Sequence, residues 1–192
     1  VYNLNFRNNT VNRSYGLNFS GGQGAVVYNT SFWNSNNTIL FESSSSNNNL
    51  NVSLNKINYS INAITLSGVN NSFVDNNTVQ NAYAGIVSKD SVRKNYNITA
   101  RQNYFFNNTF GAALSYLHSS VFSHNQYANS TASAGSIALE LAQDDANNLF
   151  HNETILESMF GLRLGSAGGA LRNNFTRLNI SRVSGLSALA EI

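Results

Sequence analysis

Few residues in this chain could do acid–base or metal chemistry: its 192 residues include 11 Lys and Arg, 9 Asp and Glu, 3 His and no Cys. The only adjacent carboxylates are Asp144 and Asp145, just after Gln143. Such a pair can divide into an acid that protonates a leaving oxygen and a base that positions water, which is the chemistry of glycoside cleavage. The competing reading is a solvated turn. His118, His124 and His151 are separated by 6 and 27 residues. On one shared face they could bind a metal or buffer a proton; apart, they are ordinary outward turn residues. Lyase chemistry would need calcium-binding acids beside a base, but the acids are scattered, and Glu140 and Arg163 stand isolated. The sequence predicts no catalytic set, no metal site and no cofactor.

Asparagine is the residue whose spacing carries a signal. Asn-x-Ser/Thr occurs at fifteen sites: Asn8, Asn12, Asn18, Asn29, Asn36, Asn51, Asn58, Asn70, Asn76, Asn97, Asn107, Asn129, Asn152, Asn174 and Asn179. Random placement would give about seven, so N-glycan acceptor motifs are enriched roughly twofold. Eight of the ten Thr lie two residues after an Asn. These motifs predict covalent N-glycans and an extracellular or surface location. A backbone repeat could create the same spacing without any sugar. In Asn8-Asn9-Thr10 or Asn76-Asn77-Thr78, however, strand alternation would send the first Asn outward if the second points inward.

The wider composition fits that location. Charged residues are only 10% of the chain, whereas 35 Asn, 26 Ser and 10 Thr supply amides and hydroxyls to solvate the surface. A net charge of +2 without a long basic run argues against a nucleic-acid partner. No apolar run is long enough to span a bilayer, and Val1-Tyr2-Asn3 lacks a signal-peptide pattern. The uniform composition predicts a single domain over 1–192.

The elements that must position these residues are short strands. Alternation such as Leu50, Val52, Leu54 or Ile137, Leu139, Leu141 has period two, and Asn, Ser and Gly clusters punctuate it. Glycine precedes such strands at Gly16, Gly85, Gly111, Gly135, Gly161 and Gly185, the last five spaced 26, 24, 26 and 24 residues apart. Thr38 and Ala63 fill the gap between Gly16 and Gly85, giving about eight coils. A second landmark is an Asn once per coil at Asn9, Asn55, Asn77, Asn103 and Asn125, with Asn152 and Asn174 continuing it. Stacked Asn side chains can hydrogen-bond from coil to coil in a ladder and tolerate the left-handed backbone of tight turns. Of the aromatic residues, Phe32-Trp33 and Tyr104-Phe105-Phe106 would either fill the core or form an outer platform for sugars. Ser43 to Ser46 read as a low-complexity loop.

A repeat of this length without helical periodicity or a leucine-rich core indicates an all-β, single-stranded, right-handed parallel β-helix, a solenoid of about eight coils. The stretch Asn76-Asn77-Thr78-Val79 to Ala84-Gly85-Ile86-Val87-Ser88 resembles the β-helix repeats of pectin-lyase-like and NosD-like proteins. That resemblance implies the shape. Gln143-Asp144-Asp145 is superficially similar to the paired aspartates of polygalacturonases, but the accompanying Gly-His-Gly and Arg-x-Lys are absent. The expected function is an extracellular structural glycoprotein, a densely N-glycosylated subunit of a filament or surface layer that self-associates through its β-helix ends. The alternatives are a carbohydrate-binding adhesin module and a polysaccharide lyase or hydrolase.

Overall fold

The computed structural model describes residues 3–21, 23–42, 49–90, 92–130, 135–165 and 172–190. Ser43 to Ser46 lie outside them. The described residues form strands and turns with no helix, and every strand pairing is parallel. The chain winds through three faces per coil. Face one stacks eight strands from Asn5–Arg7 through Val26–Tyr28, Asn51–Ser53, Asn70–Asp75, Asn95–Arg101, Val121–Ser123 and Leu149–His151 to Asn174–Thr176. Face two runs from Thr10–Asn12 to Asn179–Ser181, and face three from Leu17–Ser20 to Ala188–Ala190. Strands Ser31–Glu42 and Lys56–Ser67 cross the corner between faces two and three without interruption.

Alternation sends one column of each face inward. On face one the register stacks Phe6, Val27, Val52, Val74, Ala100, Phe122, Phe150 and Phe175. On face two it stacks Val11, Phe32, Ile57, Val79, Phe105, Tyr127, Ile155 and Ile180. Rings meet like with like: Phe105 and Tyr127 lie 5.2 Å apart, Phe150 and Phe175 4.8 Å. These contacts add to the burial of the apolar columns, the main driving force for the core. One continuous apolar cluster results, from Phe19 to Leu162.

Three corners turn each coil, and each corner holds a left-handed residue at every one of the eight levels. The residue after face one is Asn8, Asn29, Leu54, Asn76, Gln102, His124, Asn152 or Arg177, all with φ between 53° and 58° except Asn29 at 48°. After face two come Arg13, Asn34, Tyr59, Asn81, Asn107, Asn129, Glu157 and Arg182; at the entry to face one come Asn3, Gly24, Asn49, Asn71, Asn97, Ser119, Asn147 and Arg172, of which Asn71 and Asn97 fall inside the longer strands Asn70–Asp75 and Asn95–Arg101. Asn pays least among side-chain-bearing residues for this conformation, which explains its abundance at the corners.

The glycine column differs from the expected one. Register places Gly16, Thr38, Ala63, Gly85, Gly111, Ala138, Gly161 and Ser187 in line. Gly135 and Gly185 are exposed residues just before that line. The requirement is steric closeness to the next coil, which Ala and Ser also meet, and uneven coil lengths shift the true positions. Glycine itself is needed at Gly85 and Gly111. A Cβ at Gly111 would meet the Ala138 carbonyl and the Tyr127 ring; one at Gly85 would meet the Gly111 carbonyl and the Phe105 ring.

Candidate functional site

Immediately after the first corner, the central coils each turn one buried polar side chain inward, and these side chains join one another. Asn77 donates from its backbone N and from Nδ2 to Asn103 Oδ1, 3.0 Å each, and Nδ2 also donates to the Val52 carbonyl. Asn55 does the same to Asn77, and Asn103 to Asn125. At the N-terminal side Thr30 N donates to Asn55 Oδ1. Asn9 occupies the equivalent place in the first coil, but its Nδ2 turns to the Arg7 carbonyl. The next coil offers it only Thr30, whose hydroxyl donates to the Tyr28 carbonyl. At the other end the position falls to Glu153, not to Asn152, which is the corner residue, and then to Leu178 rather than Asn174.

Glu153 is missed by a search for Asn alone. It accepts from Asn125 N, Asn125 Nδ2 and the Tyr127 hydroxyl at 3.0 to 3.2 Å. Burial pushes its carboxyl up to about 7 despite those donors, and burial beside Glu153 raises the Tyr127 hydroxyl as well. A second inward polar column also escaped sequence reading. Leu50 N donates to Ser72 Oγ, Ile98 N to Ser120 Oγ, Ser120 N to Asn148 Oδ1, and Asn148 N and Nδ2 to Asn173 Oδ1. In these columns the second residue after the corner is a strand position facing out, so the order is corner residue, inward residue, outward residue. Corner geometry therefore places the Asn and the residue two positions on at recurring sites at Asn8, Asn76, Asn97, Asn107 and Asn152, each followed there by Thr.

The adjacent aspartates are separated by alternation. Asp144 is a left-handed turn residue that pairs with Lys94 at 2.6 Å, and this contact holds its carboxyl below the usual range. Asp145 is fully buried, accepts from Leu117 N at 2.8 Å, and is raised by burial to about 7. Their acidities are split as a catalytic pair requires, yet the proton-holding member faces the core, where no substrate reaches. Glu140 and Arg163 are cross-strand partners, paired at 3.4 Å.

His124 and His151 are brought together, with ring centroids 5.8 Å apart; His118 lies on Asp144 instead. Asn152 Nδ2 stands 3.0 Å from His124 Nε2 and 2.9 Å from His151 Nε2, and His151 Nδ1 is 2.7 Å from the Thr176 hydroxyl.

The acceptor asparagines are not equivalent. Asn8, Asn12, Asn18, Asn29, Asn36, Asn76, Asn97, Asn174 and Asn179 are exposed. Asn51, Asn70, Asn107, Asn129 and Asn152 are half-buried, with Asn107 Nδ2 donating to Asn81 Oδ1. Asn58 is only 7% exposed and accepts from Asn81 Nδ2, so it is no acceptor in the folded chain.

On the outer side of face two, Trp33, Asn58, Gln80 and Phe106 are successive cross-strand neighbours, as are Lys56, Thr78 and Tyr104. Phe32 and Phe105 between them point inward. Trp33, Lys56, Ile57, Asn58, Thr78 and Gln80 line a depression of about 80 Å³.

These features define a parallel β-helix solenoid held by internal amide columns. The model of the family described as periplasmic copper-binding protein (NosD) matches residues 2–184, and the chain belongs to that family. Among solved structures, the surface protein and adhesin PfbA of Streptococcus pneumoniae superposes with a TM-score of 0.60 at 14% identity, covering 98% of this chain and 67% of that one. The likeness shows the shared right-handed β-helix. No curated protein matches the chain.

The family's description names copper, which favours imidazole, thiolate or thioether ligands. The chain has no Cys and one Met, and the described residues hold no cluster of three or more His, Asp or Glu. His124 and His151 supply two nitrogens, and nothing among the described residues completes the shell. The described residues do not make a copper site.

Proposed function

We propose that this chain works outside the cytoplasm as a structural scaffold, a stiff β-helical rod that presents its outer faces without catalysing a reaction. The observation that carries this reading is the use made of the acids. Asp145 and Glu153 are spent inside the core, and Asp75, Asp90, Glu140, Asp144 and Glu157 are paired with Arg101, Arg93, Arg163, Lys94 and Arg182. Among the described acids only Glu42 lacks such a partner. Incubation with acidic and neutral polysaccharides is expected to release neither reducing ends nor unsaturated products; sustained turnover by the pure protein would end the reading.

Assembly into a filament or surface layer through the coil ends is supported by the terminal coils. Phe6, Val11 and Leu17 in the first coil, and Phe175, Leu178, Ile180 and Val183 in the last, are only partly buried against the core. The described residues of the first and last coils carry Arg7, Arg13, Arg172, Arg177 and Arg182 and no acid. End-to-end contact therefore opposes like charges, and sedimentation should show association strengthening as salt screens them. A glycan coat would sit on exposed acceptors such as Asn8, Asn29, Asn76 and Asn97. Native protein at its bare polypeptide mass would remove the coat and leave the scaffold reading intact.

A further inference from the structure

We infer that the outer side of face two is a binding strip for an acidic polysaccharide. The strip is built by register. Trp33 sits on the second coil, Lys56 and Asn58 on the third, Thr78 and Gln80 on the fourth, and Tyr104 and Phe106 on the fifth. Rungs are about 4.8 Å apart, so the aromatic groups at the two ends lie roughly 14 Å from each other, a span suited to a short oligosaccharide. Trp33 is 43% exposed although it is the largest apolar side chain in the molecule. Its indole borders the depression shared with Lys56, Asn58, Thr78 and Gln80. Tyr104 and Phe106 stack on each other with centroids 6.1 Å apart, which fixes a second apolar surface at the far end.

The chemistry of the strip selects its ligand. A flat aromatic face covers the C–H side of a pyranose ring, while amides and hydroxyls meet the ring hydroxyls at its edge. A lipid tail would use the aromatics but leave this row of amide and hydroxyl groups unmatched. Lys56 decides the charge. It is exposed, makes no ion pair among the described residues, and no Asp or Glu lies on the outer positions of these four coils of face two. An ammonium group with no counter-ion among the described residues, beside an indole and the half-buried Gln80 amide, complements a carboxylate or sulfate carried on a sugar. The strands beneath belong to the best-buried part of the solenoid, around Phe32, Ile57, Val79 and Phe105, so the strip is rigid before ligand arrives and ordering costs little.

The chain has a single tryptophan, so Trp33 emission reports on this strip alone. Oligomers of polygalacturonate and of chondroitin sulfate, with neutral cello-oligosaccharides beside them, are titrated against the intact protein, Lys56→Gln and Lys89→Gln. Lys89 is an exposed lysine on face three and serves as the control for net charge. The expected result is saturable quenching or a blue shift with at least one acidic oligomer, weakened about tenfold by Lys56→Gln, unchanged by Lys89→Gln, and absent with the neutral oligomers. Preference between the two acidic probes tells carboxylate from sulfate. No response to either acidic oligomer, an equal response to neutral ones, or equal losses in the two lysine variants would each overturn the inference.

Discussion

Glu153 shows most clearly what one residue decides. Its carboxyl sits at about 7 in the folded protein against an ordinary 4.5, because burial favours the neutral form. The folded state therefore binds the proton more tightly than the unfolded chain, and stability falls as pH rises from about 4.5 to about 7, then levels off. The difference corresponds to about 3 kcal/mol. Glu153→Gln keeps an acceptor for Asn125 and removes the ionisation, so urea denaturation should show a higher midpoint above pH 7 and a flatter pH profile over that window. Asn103→Ala should act in the opposite direction at all pH values. It strips acceptors from the buried Asn77 N and Nδ2, at a cost of about 2–4 kcal/mol read from the same denaturation curves.

At the scale of strand and turn, the corners are where side chain and backbone disagree. Leu54 and Tyr59 hold φ of 58° and 55° with side chains that gain nothing there, and both are exposed. Leu54→Asn should stabilise the protein by about 1 kcal/mol, visible as a rise in melting temperature. The sequence announced a corner wherever Asn stood before an inward residue, as at Asn76-Asn77. It was silent at Leu54, Gln102 or Arg177, because closing the coil imposes the turn whatever the side chain. The same limit hid Glu153: it stands before Thr154 as Asn77 stands before Thr78, and aligning the corners rather than the asparagines would have found it. Strand alternation was legible throughout, and so were the four central ladder asparagines. The glycine column was not, since the need was for a small residue and coil length varies. The outer strip was half legible: Trp33 and Tyr104 were visible as aromatics, but their neighbours Lys56 and Gln80 are set beside them only by register.

For the whole molecule, stability is distributed along a line. Each coil touches only the coils before and after it, so stability is set by nearest-neighbour contacts. Hydrogen exchange should be slowest between about residues 56 and 106 and fastest in the first and last coils, with no single global rate. Uniform protection from end to end would show that the terminal coils are covered by a partner.

The amide column has a direction. Each Asn takes hydrogen bonds on its oxygen from the coil before and gives them from nitrogen to the coil after, so any coil that ends in Asn leaves an unspent donor asking for another coil. Glu153 only accepts while ionised, and Leu178 beyond it neither gives nor takes. The column thus carries its own full stop. Removing that carboxylate in favour of Asn, and placing a further acceptor at Leu178, is the change by which such a rod would be lengthened.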